Sequence, residues 1–190
     1  MKKYLLFLQA ILFLSNVLFS QTKIDSALNM MNVDSIHDST KIFKLYRAVS
    51  NLCYENPDSA NKLLDIGLNY LQISKQLFQT DSNRRLKKDF YRGYYYNMKG
   101  ICFYLLNRES ECLENWLKTE KIAKRENDTN FLLRINNNIA IVYSSTGREK
   151  EALKIFSDQK KIYETKKDTG GIITASINMS TIIKNNDSIV

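Results

Sequence analysis

The sequence predicts an all-α chain built from pairs of antiparallel helices, and three observations carry that expectation. Backbone breakers are scarce: one proline, Pro57, and six glycines occur in 190 residues, too few for many short strands and turns. With 44% hydrophobic and 25% charged residues, the chain has the composition of a folded domain and the length to bury a real core. Small and aromatic residues also return at fixed intervals. Gly100, Ala140 and Ser180 stand 40 residues apart, and Phe103 and Tyr143 follow the first two after three.

The N-terminus reads differently from the rest. Residues 1–20, MKKYLLFLQAILFLSNVLFS, open with Lys2 and Lys3, continue with an apolar run from Tyr4 to Leu14, and end more polar. That is the layout of a cleaved secretory signal peptide. The apolar run is short and interrupted by Gln9 and Asn16, which argues against a membrane span. Cleavage after Ser20 starts a mature chain at Gln21, exported to the periplasm or held at the cell envelope, with no transmembrane helix. The formal charge of the whole chain is +8, and removing Lys2 and Lys3 leaves +6. Such a balance attracts anionic surfaces and says nothing about fold.

Residues 21–38 are expected as a polar lead and 39–190 as the helical repeat domain. The pattern predicts helices over 39–54, 58–79, 83–106, 109–126, 129–146, 148–165 and 170–186. Asp58 and Ser59 after Pro57 make a helix start. The polar segments 79–84, 126–130 and 166–171 suit the turns between helix pairs.

Within this layout the spacing continues. Cys112 and Ala152 lie twelve residues after Gly100 and Ala140, and Trp116 and Phe156 lie four further on. Asn107 and Gly147 fall in the intervening turns; these two residue types best tolerate a left-handed backbone. Upstream, Ala48 is followed by Ala60 and Leu64 on the same ruler, with Asn51 where an aromatic is expected. The set resembles the tetratricopeptide repeat, in which a small residue and an aromatic on one helix answer an alanine and an aromatic on the next. The resemblance runs from about Lys41 to the end, as repeats 41–80, 83–127 and 129–166 and an incomplete one at 170–190. It implies a right-handed α-solenoid of helix pairs. The spacing of 40 departs from the usual length of about 34 and implies longer helices. The step from Ala48 to Gly100 is 52, and Lys99 stands where the family has leucine.

Gly100 sits inside a predicted helix, where glycine costs about 1 kcal/mol against alanine. The expectation is that it lets two helices cross closely, with Phe103 and Trp116 layered beside the crossing. The last, incomplete repeat should leave an apolar helix face uncovered, and the chain is expected to be a truncated product.

Chemistry is sparse. Cys53, Cys102 and Cys112 have no metal-ligand spacing and cannot all pair with one another; an oxidising compartment permits one disulfide at most, and the better reading is three small, buried, apolar side chains. The single histidine, His37, lies in a polar stretch beside no arranged nucleophile. Gly170–Gly171 is not a phosphate loop. No catalytic residue, metal site or cofactor is therefore expected, and the chain reads as non-enzymatic. The stretch 83–97 offers Arg84, Arg85, Lys87, Lys88 and Arg92 among tyrosines, a combination that can meet nucleic acid. Helical spacing instead places Phe90 and Tyr94 on the packing side and the charges in solvent. That disfavours a nucleic-acid partner and leaves a weak contact with an anionic surface.

The resemblance also implies a binding face. Asparagines on the inner helices of such repeats hold an extended peptide, and the matching positions here are Asn97, Asn137, Asn138 and Asn178, with Tyr94, Tyr104 and Arg134 on the same face. An amide can donate to and accept from a peptide backbone at once; the same amides could equally brace neighbouring repeats. The implied function is a protein- or peptide-binding scaffold. The alternative is the N-terminal sensor portion of a truncated signal-transduction protein with a histidine-kinase or DNA-binding output.

Overall fold

Several of the helices start at a side-chain cap, at His37, Asn56 and Asp128. The computed structural model describes residues 22, 24–34, 37–74 and 82–187, and no strand occurs among them. After a helical run at 24–31 come α1 (Asp38–Glu55), α2 (Pro57–Ile73), α3 (Ser82–Leu105), α4 (Glu109–Arg125), α5 (Thr129–Ser145), α6 (Glu149–Lys166) and α7 (Thr169–Asp187). Six of these seven helices match the expected ranges to within a residue at each end. The second stops at Ile73, where Ser74 turns extended and its N–H returns to the Tyr70 carbonyl. The leader 1–20, the expected extension over 75–79, and the side chains of Arg84, Arg85 and Lys87 lie outside the described residues.

The chain divides between Arg108 and Glu109 into two compact units. In the first, α1 packs on α2, α2 on α3, and α1 also on α3. In the second, α4, α5, α6 and α7 pack each on the next, the consecutive arrangement of a helical solenoid.

Helix starts follow local chemistry. Asn56 caps α2 by accepting from Ser59 N–H at 3.0 Å, with Pro57 in the first turn where its missing N–H costs nothing. Asp128 does the same for α5, accepting from Phe131 N–H at 2.9 Å. His37 caps α1, its Nδ1 accepting from Ser39 N–H at 3.2 Å.

Helix ends show a regularity the 40-residue spacing only half announces. Asn107, Asn127, Gly147 and Lys167 all have positive φ, each 20 residues after the last. Beside each, the next N–H reaches five residues back: Arg108 to Phe103 O at 2.9 Å, Asp128 to Ala123 O at 3.0 Å, Arg148 to Tyr143 O at 2.8 Å and Asp168 to Tyr163 O at 2.9 Å. These bonds close the last turn with a left-handed residue. Arg108 then lies 4.8 Å over the Phe103 ring and Arg148 3.8 Å over the Tyr143 ring, so the repeated aromatic also seats the turn's arginine. Lys167 is the misfit, since a left-handed backbone costs a residue with Cβ roughly 1–2 kcal/mol. Lys167→Gly should therefore raise stability by about 0.5–1 kcal/mol in chemical denaturation. A loss of stability would show that the Lys167 side chain contributes more than its backbone costs.

In the first unit, Ile42, Leu45, Val49 and Cys53 of α1 meet Ala60, Leu64 and Leu71 of α2 and Tyr95, Met98 and Cys102 of α3 in one core. Ala27 joins them from the 24–31 run, so the polar lead contributes to the core as well. Ala48 is only half-buried, while Val49 beside it is fully buried. Gly67 leaves no room for a side chain. A Cβ there would stand 2.0 Å from Tyr95 Cε1, and Tyr95 is held in place by donating to Ile42 O at 2.9 Å. Lys99, standing where leucine was expected, is also accounted for: its ammonium pairs with Asp65 and lies 5.7 Å over the Phe103 ring.

A buried polar knot joins the start of α1 to the end of α2. Asp38, 5% exposed, accepts from the hydroxyls of Tyr70 and Ser74 and stands 3.8 Å from Lys41, itself 4% exposed. Burial alone would raise the Asp38 carboxyl; the two hydroxyls and the Lys41 charge outweigh it and hold the group below its ordinary value.

In the second unit, Ala140 and Ala152 are wholly buried and share a cluster with Phe156 and Ile182, as the small-and-aromatic spacing expects. Gln159 seals it by donating to Leu133 O at 2.6 Å. Gly171 matches Gly67 in kind: a Cβ there would lie 2.2 Å from Tyr163 Cδ1. Ser180, the third small residue of the series, is exposed, and α7 leaves Ile173, Ile177 and Ile183 exposed.

Candidate peptide-binding site

The polar side of α1 repeats at helical intervals. Thr40, Phe43, Lys44, Arg47 and Asn51 fall on one face, opposite the core positions Ile42, Leu45, Val49 and Cys53. This face is one wall of an open groove of about 740 Å³. Thr22, Ser26 and Met30 form the facing wall, and Tyr91 reaches in from α3. Phe43 is 47% exposed, with Arg47 5.8 Å over its ring, and Lys44 Nζ lies 3.5 Å from Met30 Sδ. Among the described residues the lining holds hydroxyls, an amide, two aromatic rings and two cations, and no carboxylate. Chemically it suits an extended, acidic polar segment: cations for carboxylates, hydroxyls and Asn51 for backbone groups, rings for apolar side chains.

The positions carried over from the repeat resemblance fall into two groups. Tyr94, Asn97 and Tyr104 belong to α3 in the first unit. Tyr94 is half-buried in an aromatic cluster, 5.8 Å from Tyr46 edge-on and 4.5 Å from Phe90. Asn97 is half-buried and Tyr104 exposed. Arg134, Asn137, Asn138 and Asn178 belong to the second unit. Asn178 Nδ2 donates to Asn137 Oδ1 at 3.1 Å, so these two amides brace α5 against α7. Arg134 is exposed, its guanidinium 5.2 Å over the Phe131 ring, and Asn138 is half-buried. Beside them Asn136 Oδ1 is buried and has no hydrogen-bond partner among the described residues.

The expectation for 83–97 needs correcting at two residues. Lys88 is 7% exposed and donates to Gln72 O at 3.3 Å, and Phe90 is 41% exposed. The helix is therefore turned so that one cation faces inward and one ring outward. Arg92 does pair with Asp89, at 3.5 Å.

Sequence reasoning missed the groove because it left 21–38 as a lead and therefore gave α1 no facing wall. The spacing of Thr40, Phe43, Lys44, Arg47 and Asn51 was the available signal. Among the described residues no three of His, Cys, Asp and Glu are grouped to hold a metal ion, and no helix is long and apolar enough to cross a membrane. Neither a protein-family model nor a curated protein matches the chain.

Proposed function

We propose that this chain is a non-enzymatic helical-repeat scaffold, exported to the cell envelope, that binds an extended segment of another protein. The groove beside α1 supports the reading most directly: it is open, already formed, and combines Lys44 and Arg47 with hydroxyls and two rings, with no carboxylate among its described residues. The charge of the chain, +8 overall and +6 without Lys2 and Lys3 of the leader, favours an acidic partner for the same reason. Arg134, Asn138 and the exposed Tyr104 remain candidate contacts elsewhere on the scaffold.

A fluorescence-anisotropy titration tests this with a labelled unstructured acidic peptide, alongside basic and neutral peptides of equal length. The acidic peptide should bind saturably, and Lys44→Glu with Arg47→Glu should weaken it at least about tenfold. Added salt should weaken it too. Equal titration of all three peptides, or none binding, would defeat the reading. Recovery of the native protein only from the cytoplasm would defeat the export part.

A second reading, the sensor portion of a longer signal-transduction protein, draws on α7. Its exposed Ile173, Ile177 and Ile183 form a face that another helix could cover. A native protein that migrates well above 22.2 kDa on an immunoblot would favour it.

A further inference from the structure

Cys53 on α1 and Cys102 on α3 place their sulfurs 2.8 Å apart, and both residues are wholly buried in the core of the first unit. Both are free thiols in this structure. A sulfur–sulfur bond measures about 2.05 Å, so the pair needs to close by less than about 1 Å to be joined. Cys112, the third cysteine, is a buried free thiol of the second unit.

We propose that Cys53 and Cys102 are a disulfide-forming pair that staples α1 to α3 when the chain folds in contact with a thiol–disulfide exchange donor. In the first step one of the two cysteines, as its thiolate, attacks one sulfur of the donor disulfide; the donor S–S bond breaks and one donor thiolate leaves. In the second, the other cysteine's thiolate attacks the first cysteine's sulfur in the mixed disulfide and expels the other donor thiolate. The two cysteines lose two protons and two electrons, and the donor, reduced, ends as two thiols.

In the folded core the hydrogen bond between the two thiols holds Cys53 below the usual thiol value and pushes Cys102 above it, so the two sulfurs are in direct contact where the bond would form. Cys112 belongs to the other unit, where burial, with Glu109 adding to it, pushes its thiol up to about 12. Because both sulfurs are shielded in the closed core, exchange belongs to the folding reaction, and the finished bond is sheltered from reductant. The staple joins the helix carrying Phe43, Lys44 and Arg47 to the helix carrying Tyr91, beneath the groove. It does not depend on what the groove binds.

The test refolds the full chain, denatured and reduced, in mixed reduced and oxidised glutathione, then denatures it and alkylates free thiols. One alkylated cysteine per chain, Cys112, is expected, with the mass before alkylation lower by about 2 Da for the two hydrogens lost. A non-reduced digest should contain a peptide joining Cys53 to Cys102. The melting temperature should exceed that of the chain refolded in excess dithiol by about 10 °C or more. Cys112→Ser should keep that difference, and Cys53→Ser and Cys102→Ser should each abolish it. Three alkylated cysteines, glutathione left on Cys53 or Cys102 without a cross-link, or a bond involving Cys112 would each overturn the proposal. If the serine variants fail to fold, the thiol count on the unaltered chain decides alone.

Discussion

Gly67→Ala should lower the melting temperature of the first unit by more than about 10 °C. On helix propensity alone the exchange would stabilise by about 1 kcal/mol, so the two accounts differ in sign. The structure decides for destabilisation because the added Cβ would lie 2.0 Å from Tyr95 Cε1 and 2.6 Å from Cζ, far inside contact distance. The ring has no easy retreat: Tyr95 is wholly buried and its hydroxyl is engaged with Ile42 O at 2.9 Å. Either α2 and α3 move apart or the ring leaves its seat and gives up that hydrogen bond. Overpacking of this kind costs about 1–3 kcal/mol, and losing the bond adds about 1 kcal/mol. A double variant, Gly67→Ala with Tyr95→Leu, should be less destabilised than the two single changes added together, because the methyl then meets a side chain that can yield. A melting temperature for Gly67→Ala at or above that of the unaltered protein would mean that α2 and α3 do not approach as described.

Asp38→Ala should destabilise the protein by about 3 kcal/mol at neutral pH. The change takes the acceptor away from the Tyr70 and Ser74 hydroxyls and leaves Lys41, 4% exposed, with Tyr70 but without the Asp38 carboxylate. The pH dependence has a definite sign. The Asp38 carboxyl titrates lower in the folded chain than in the unfolded one, where it has the ordinary value near 3.9. Its contribution is thus fully present above the unfolded value and is lost as pH falls through the folded one. Denaturant unfolding at pH 7 and again near pH 3 should show the gap between the unaltered protein and Asp38→Asn shrinking in acid. A gap that widens in acid would mean that Asp38 does not carry its charge in the folded state.

What could be read from the chain was local. Pro57 with its flanking polar residues, the polar breaks, Asn107 and Gly147 all act within a turn of their own position, and the helix boundaries follow from them. The small residues Ala140 and Ala152 were also legible, because two helices of similar length joined by a tight turn bring matched positions together. Side-chain pairing between helices was not legible. Gly67 against Tyr95, Gly171 against Tyr163, Cys53 beside Cys102 and Asn137 with Asn178 all depend on crossing angles and rotations that no short window encodes. Lys167 escaped notice for a different reason: it adopts a backbone that glycine or asparagine would normally signal. Of the proposed contacts, the asparagines could be placed on their helices by counting, whereas Asn137 and Asn178 are already engaged with one another and the groove depends on a segment with no repeat signature.

The 20-residue beat of Asn107, Asn127, Gly147 and Lys167 limits how this chain can change length. One beat carries the backbone up a helix of about 26 Å and turns it round; two restore its original heading. Within the second unit, removing the 40 residues between the Asn127 and Lys167 turns would join α4 to α7 with its heading kept, in the place that α5 held. Removing only 20 there would send the later helices of that unit along the opposite heading and trade inward faces for outward ones. For such a chain, length is permissible in even numbers of beats, and an odd one rewrites everything downstream.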